Sequence, residues 1–196
     1  MTNALIINGY ETFAGVGEGK LNASLAKYTR EALENKGYQV QTSTIEEGYE
    51  VTQEHQKLLW ANLIYIQTPV YWFGIPGLFK SYLDRVLMMG YGDGSTLTGD
   101  GRTPENPDKK YGSGGLLTDK KYMVCSTWNA PSEVFDNPDQ FLNGLSEDEV
   151  LTPLHKSYQF LGIQKLPSFS FHDIFSSAEV VSTQFKEFEK HLEKVL

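Results

Sequence analysis

Cysteine is all but missing: Cys125 is the only one in 196 residues. A lone thiol forms no intramolecular disulfide and by itself builds no zinc site, so a disulfide scaffold and an all-cysteine metal centre are both excluded. Its neighbours, Tyr122-Met123-Val124, are apolar, which makes an inert buried thiol the plain expectation. Long apolar runs are missing too. None approaches the ~20 residues that cross a bilayer. The opening Met1-Thr2-Asn3-Ala4-Leu5-Ile6-Ile7 lacks a basic leader and is too short in its apolar part for a signal peptide. A cytoplasmic protein without a membrane span is expected. Basic clusters are scarce: formal net charge is −8, and no basic run exceeds the pairs Lys109-Lys110 and Lys120-Lys121. That leaves no footprint for a nucleic-acid backbone. No Gly-x-Ser-x-Gly, no Ser-His-Asp arrangement and no metal-spaced histidine cluster is present, and His55, His155, His172 and His191 are scattered. Chemistry by a cofactor fits better than acid–base chemistry by side chains, so no catalytic residue is assigned.

What is present is an alternation of strands and helices. Leu5-Ile6-Ile7-Asn8 is a short apolar run entering a glycine turn. Apolar residues at helical spacing predict a helix over residues 22–36, with Gly37 as its C-terminal stop. Residues 38–44 read as a second strand, residues 52–61 as a helix capped by Thr52, and Leu63-Ile64-Tyr65-Ile66 as a third strand. Pro76 suits the first turn of a helix carrying Phe79, Tyr82, Leu83, Val86 and Leu87. Residues 122–127 give a fourth strand, residues 147–161 a helix, and residues 166–171 a fifth strand. Ser176-Ser177-Ala178-Glu179 has the capping-box form and opens a helix with Val181, Phe185, Phe188, Leu192 and Val195 on its core face. The fold class that follows is α/β in one domain over residues 1–196: a three-layer sandwich with a five-stranded parallel sheet and helices on both faces. Ligands of such sheets bind beyond the carboxyl ends of the strands, so the segments after strands one, three and four are the ones to search.

Three segments stand out there, with a fourth in a long loop. Gly15-Val16-Gly17-Glu18-Gly19-Lys20 invites a nucleotide reading, but both standard motifs fail. A P-loop needs glycine and Ser/Thr where Ala14 and Leu21 stand, and the dinucleotide fingerprint needs glycine where Lys20 stands. What remains is a flexible loop at a helix N-terminus with Lys20, Asn22 and Ser24 nearby, suited to a phosphate or simply a glycine turn with an Asn cap. Thr68-Pro69-Val70-Tyr71-Trp72-Phe73-Gly74-Ile75-Pro76-Gly77 is sharper. Three consecutive aromatics cannot all face a core, and a proline-stiffened turn offers a flat heteroaromatic both N–H groups and ring surface. Ser126-Thr127-Trp128-Asn129-Ala130-Pro131 either closes the other side of such a ligand or is a strand end with a turn. Residues 89–115 form a glycine-rich loop, with eight glycines, that is either functional or a surface insertion or dimer arm.

Taken together, Leu5 to Gly9, Gln67 to Pro76, Asp100-Gly101-Arg102-Thr103, Lys109 to Gly115, Lys120 to Pro131 and the His155-Lys156, Gln159-Phe160-Leu161-Gly162 stretch resemble the modulator of drug activity B family. These are bacterial NADPH:quinone oxidoreductases within the flavodoxin-like quinone reductases, and the resemblance runs along essentially the whole chain. It implies a flavodoxin-like fold and a homodimer holding FAD at its interface, with NADPH (NADH as an option) as donor and quinones as acceptors in a ping-pong cycle. An electron carrier, or a flavin reductase of nitroaromatic or azo compounds, is the alternative. On this resemblance Gly17, Glu18, Gly19, Lys20, Leu21, Asn22, Ala23 and Ser24 match the segment on the FAD diphosphate. Pro69, Val70, Tyr71 and Trp72, with Phe73 beside them, match the isoalloxazine loop. Thr127, Trp128, Asn129 and Ala130 match its pyrimidine side, and Tyr111 matches a loop tyrosine that reaches the flavin, across the dimer. One departure stands out: Phe135 and Asn143 occupy the region where mammalian relatives carry a tyrosine and a histidine, so no proton relay is expected.

Overall fold

The computed structural model describes residues 2–196. Its strands are β1 (Asn3–Asn8), β2 (Gln39–Thr44), β3 (Leu63–Pro69), β4 (Lys121–Thr127), β5 (Gln164–Lys165) and β6 (Phe169–Phe171). The helices are α1 (Lys20–Asn35), α2 (Val51–Trp60), α3 (Gly77–Gly92), α4 (Glu147–Val150), α5 (Thr152–Phe160) and α6 (Ala178–Val195). All pairs are parallel, in the order β2-β1-β3-β4, and both β5 and β6 lie along the outer edge of β4. The fold is the doubly wound sandwich expected, with order reversing between β1 and β3, which is where such sheets bind ligands.

Successive strand residues point to opposite faces, so one apolar run feeds two cores. Ala4, Ile6, Tyr65, Met123 and Cys125 pack with Leu25 and Leu33 of α1 and Phe188 and Leu192 of α6. Leu5, Ile7, Ile64, Ile66 and Val124 pack with Leu58, Phe79, Leu83, Val86, Leu154 and Tyr158 from α2, α3 and α5. Cys125 is fully buried, and burial pushes its thiol up to about 12.

Several boundaries differ from the expectation. Helix α1 begins at Lys20, with Gly19 as its N-cap, two residues before Asn22. Thr52 caps nothing: α2 starts at Val51 after Glu50, with no side-chain cap. Pro76 stands one residue ahead of α3 rather than inside it, and α3 runs on to Gly92, so the long loop starts later than residue 89. The single helix expected over residues 147–161 is two, broken at Leu151, because Pro153 enters the second one within its first turn and has no N–H to continue the first. The fifth strand splits around Pro167, which cannot donate to the ladder. Ser177 alone caps α6, accepting from the Val180 N–H, whereas the reciprocal capping box is built by Ser146 and Glu149 at α4.

The loop between α3 and β4 is folded on itself. Thr98 N donates to Gly114 O (2.9 Å) and Leu116 N to Thr96 O (2.9 Å), so its two arms pair antiparallel. Leu117 N then donates to Leu161 O (2.9 Å), which ties the arm to the end of α5. At the sheet edge Glu147 accepts from His172 (2.7 Å), and Asp148 pairs with Lys165 and lies 2.9 Å from His155 Nε2. Burial opposes ionisation of Asp148, yet the neighbouring His155, Lys165 and Ser168 outweigh it and hold the carboxyl well below its ordinary range. These pairs pin α4 and α5 against the edge strands.

Candidate active site at the carboxyl ends of the strands

The loop from β1 folds back on itself, with Phe13 and Gly17 paired (Phe13 N to Gly17 O, 3.0 Å), and delivers the chain to α1 through Gly19. Gly19 has φ +68°, and a Cβ there would lie 2.3 Å from Cδ2 of Tyr10. Only glycine lets the backbone turn over that ring. No side chain caps α1, whose first backbone bond within the helix is Ala23 N to Gly19 O (2.9 Å). The Lys20, Leu21 and Asn22 N–H groups therefore stand free at the positive end of a 16-residue helix. They open on a cleft of about 330 Å³ lined by residues 15–22 with Pro69, Tyr71, Ile174 and Phe175. A hollow of about 480 Å³ formed by Leu21, Ile174, Phe175, Ser177, Ala178 and Val181 shares three of those residues and continues the cleft along α1 and α6.

The floor is a buried polar network. Tyr65 OH donates to Gln67 Oε1 (2.8 Å), Gln67 Nε2 to Asn22 Oδ1 (2.8 Å), and Asn22 Nδ2 to Thr127 Oγ1 (3.2 Å). Three elements, α1, β3 and β4, are thereby fixed relative to one another, and buried networks of this kind reward only one arrangement. Asn22 and Thr127 act here as anchors of the floor, with their side chains turned inward (4% and 1% exposed).

The segment after β3 carries the strongest geometric signal. Tyr71 N donates to Gly74 O (2.9 Å) and Gly74 N to Tyr71 O (3.1 Å), closing a two-residue turn with Trp72 at φ +51° and Phe73 at φ +63°. Positive φ at both corners is the province of Asn-Gly pairs; a bulky aromatic there costs of order 1–3 kcal/mol. The strained turn holds Trp72 96% exposed. Tyr71 itself is half-buried, with Phe13 edge-on at 5.2 Å and its hydroxyl donating to Glu11 O (2.9 Å). Burial first, then the nearby Glu11 and Glu46 carboxylates, raises its pKa, so it stays a neutral phenol. Glu11 also accepts from Leu78 N (3.0 Å), capping α3 and locking the first loop to the turn.

The other expected residues divide. Gly17 lies under the Tyr71 hydroxyl, Glu18 and Lys20 pair with each other at the surface, and Leu21 lines both hollows. Ala23 and Ser24 sit on the exposed side of α1, where Ser24 Oγ bonds Lys20 O (2.9 Å). Pro69 lines the cleft, and Val70 N donates to Thr127 O (3.0 Å), joining the two loops. Trp128 turns its indole into the core, 3% exposed, with Nε1 donating to Ser126 Oγ (2.8 Å); Asn129 is exposed and Ala130 half-buried beside it. Tyr111 is not brought to this cleft within one chain. Its ring lies 5.5 Å from Phe160, lining a hollow of about 780 Å³ with Leu87, Met88 and Tyr91. Phe160 ends α5 just before the strand that pairs with Lys121, the start of β4, whereas the cleft is at Thr127. Six strand rises separate those levels, about 20 Å. Residues not anticipated include Tyr10 under Gly19, the Tyr65–Gln67 pair, Glu11 as a cap, and the Ile174–Phe175 wall. Gln67 alone carried a signal, as a polar residue inside an apolar strand.

Fold and cleft together define a flavodoxin-like protein, and the chain belongs to that family: the Flavodoxin_2 profile, described as a flavodoxin-like fold, matches residues 2–196. Within it the chain is 38% identical over 193 residues, 98% of each chain, to the NADPH:quinone oxidoreductase MdaB of Haemophilus influenzae. Among solved structures it is similar to a Klebsiella pneumoniae protein provisionally named a quinone reductase, with TM-score 0.77 at 21% identity, covering 98% of this chain and 84% of that one. It also resembles general stress protein 14 of Treponema denticola, solved with FMN, with TM-score 0.62 at 18% identity over the full length of both. At those identities the structures speak to the fold alone.

Proposed function

We propose that this protein is a flavin-dependent NAD(P)H:quinone oxidoreductase. The observation that carries the proposal is the strained, exposed Trp72–Phe73 turn set beside free helix N–H groups at the switch point of the sheet. The Haemophilus relative, similar along nearly its whole length, bears that activity in its name. The residues present fit a flavin. Free N–H groups of Lys20, Leu21 and Asn22 and the α1 dipole suit the phosphate, and Gly19 lets the chain turn over the Tyr10 ring to present them. The Trp72 and Phe73 N–H groups, engaged by no described residue, suit the pyrimidine carbonyls, with aromatic surface alongside. We assign FAD over FMN because the apolar hollow continuing past the phosphate end has the room and chemistry for an adenine.

When bound, the flavin supplies hydride acceptance from the nicotinamide and hydride donation to the quinone, one after the other at a shared face. The chain's own part is positional. The Asn22–Gln67–Thr127 network holds the phosphate and ring loops in register, and Glu11 locks the first loop to α3. No catalytic acid is assigned among the chain's own residues. Tyr111 cannot reach the site of its own chain, which supports a homodimer in which each long loop serves the other subunit. The absence of any helix long and apolar enough to cross a membrane among the described residues is consistent with a cytoplasmic enzyme.

An electron carrier of the same fold would need a protein partner to turn over. Purified protein is expected to oxidise NADPH steadily with menadione alone, and heat release should yield FAD on chromatography. Turnover only on addition of a partner protein would favour the carrier; release of FMN would remove the assignment of the apolar hollow to adenine.

A further inference from the structure

The segment from β4 to α4 forms a closed lobe over residues 136–145. Its ends meet where Asp136 N donates to Leu145 O (3.2 Å). Phe135, packed edge-on to Trp128 at 4.9 Å, and Leu142, 8% exposed, root it in the core. Ser146 ends it rigidly by capping α4. Two of its non-glycine residues, Asp136 (φ +52°) and Asn143 (φ +51°), are held left-handed. The lobe is therefore a fixed platform, in the manner of an Ω-loop packed by its own side chains.

On this platform Phe141 is 74% exposed. It buries too little to stabilise the lobe, and its ring meets that of Phe73, 5.5 Å away at 34°. Phe73 comes from the opposite loop and is itself held at φ +63°. Two independent segments, each carrying left-handed non-glycine residues, thus bring two phenyl rings together outside the core, with Phe73 next to Trp72 in the turn after β3. Neither ring's outer face is covered by another aromatic of the chain.

We infer that Phe141 is a specificity-determining residue: packed on Phe73 it forms one continuous aromatic surface, a jaw against whose uncovered outer face the ring system of a flat quinone stacks, and which favours fused bicyclic acceptors over small ones. The inference rests on the quinone-reductase reading above. An aromatic contact of this kind contributes on the order of 0.5–1.5 kcal/mol, and the upper end of that range is about a tenfold effect.

The test compares wild type, Phe141→Ala and Phe141→Trp on menadione, on 1,4-benzoquinone and on ferricyanide, which has no ring to grip. The jaw predicts that Phe141→Ala raises KM for menadione about tenfold with kcat held, so that its kcat/KM relative to ferricyanide falls by the same factor and relative to benzoquinone by less. Phe141→Trp should restore the wild-type ratio. An unchanged ratio in Phe141→Ala, or an equal fall in Phe141→Trp, overturns the jaw while leaving the quinone-reductase reading intact. A wild type that reduces ferricyanide but neither quinone overturns the reading itself.

Discussion

Gly19→Val is expected to leave the chain folded while weakening flavin binding at least a hundredfold. Two costs combine at this position. Its φ of +68° is left-handed, a region that costs an L-residue about 1–2 kcal/mol. The new Cβ would also stand 2.3–2.8 Å from three carbons of the Tyr10 ring, and relieving such overpacking costs another ~1–3 kcal/mol. Both are relieved most cheaply by moving the first turn of α1. That movement takes the Lys20, Leu21 and Asn22 N–H groups off the position proposed for the phosphate, and about 2.7 kcal/mol lost there is a hundredfold in Kd. Gly37→Val is the control. Its φ is +86°, with nothing within 4 Å, so it should show backbone strain in a urea melt but no change in flavin affinity. Fluorescence titration of flavin-stripped protein with FAD reads the difference; Gly19→Val binding within threefold of wild type would remove the phosphate role of this turn.

The largest stability effect is expected at Gly115. A Cβ there would lie 2.2 Å from both Gly162 N and Leu161 C, backbone atoms that cannot swing aside. The arm of the long loop lies directly on the turn that links α5 to β5, and Leu117 N bonds Leu161 O one step further on. Gly115→Ala must separate the two segments, so a loss of about 3 kcal/mol or more is expected in denaturant melts, at the upper end of overpacking costs. Gly92→Ala, at the end of α3 with nothing within 4 Å, should cost nothing and gain up to ~1 kcal/mol from helix propensity. Equal melts for Gly115→Ala and wild type would mean the loop is not lashed to α5, and with it the placement of Tyr111 would fall.

The legible parts of this chain are those where side-chain chemistry and backbone agree. Ile64 to Ile66 and Met123 to Cys125 are buried on both faces, so a continuous apolar run suffices to mark β3 and β4. The site loops were legible by position, because a parallel sheet collects the ends of β1, β3 and β4 in one place. The direction of individual side chains was not. Asn22 reads equally well as a cap or a phosphate ligand; only Gln67 and Thr127, 45 and 105 residues away, turn it inward. Trp128 is drawn into the core by packing on Phe135 and by a bond to Ser126, whose direction its local pattern does not reveal. Nothing in Trp72 or Phe73 favours positive φ. Tertiary structure imposes it, which is why the clearest mark of function here emerges only in three dimensions. Tyr111 carries no local mark of where it lies: only the fold sets its ring against Phe160, away from the cleft of its own chain.

The most direct measurement of the central claim is an anaerobic absorbance experiment on purified protein in a single cuvette. The account predicts a flavin band that bleaches on one equivalent of NADPH and returns in full on one equivalent of menadione, with no other protein present. A protein that binds flavin but stays oxidised with NADPH, or binds no flavin after reconstitution, would contradict it.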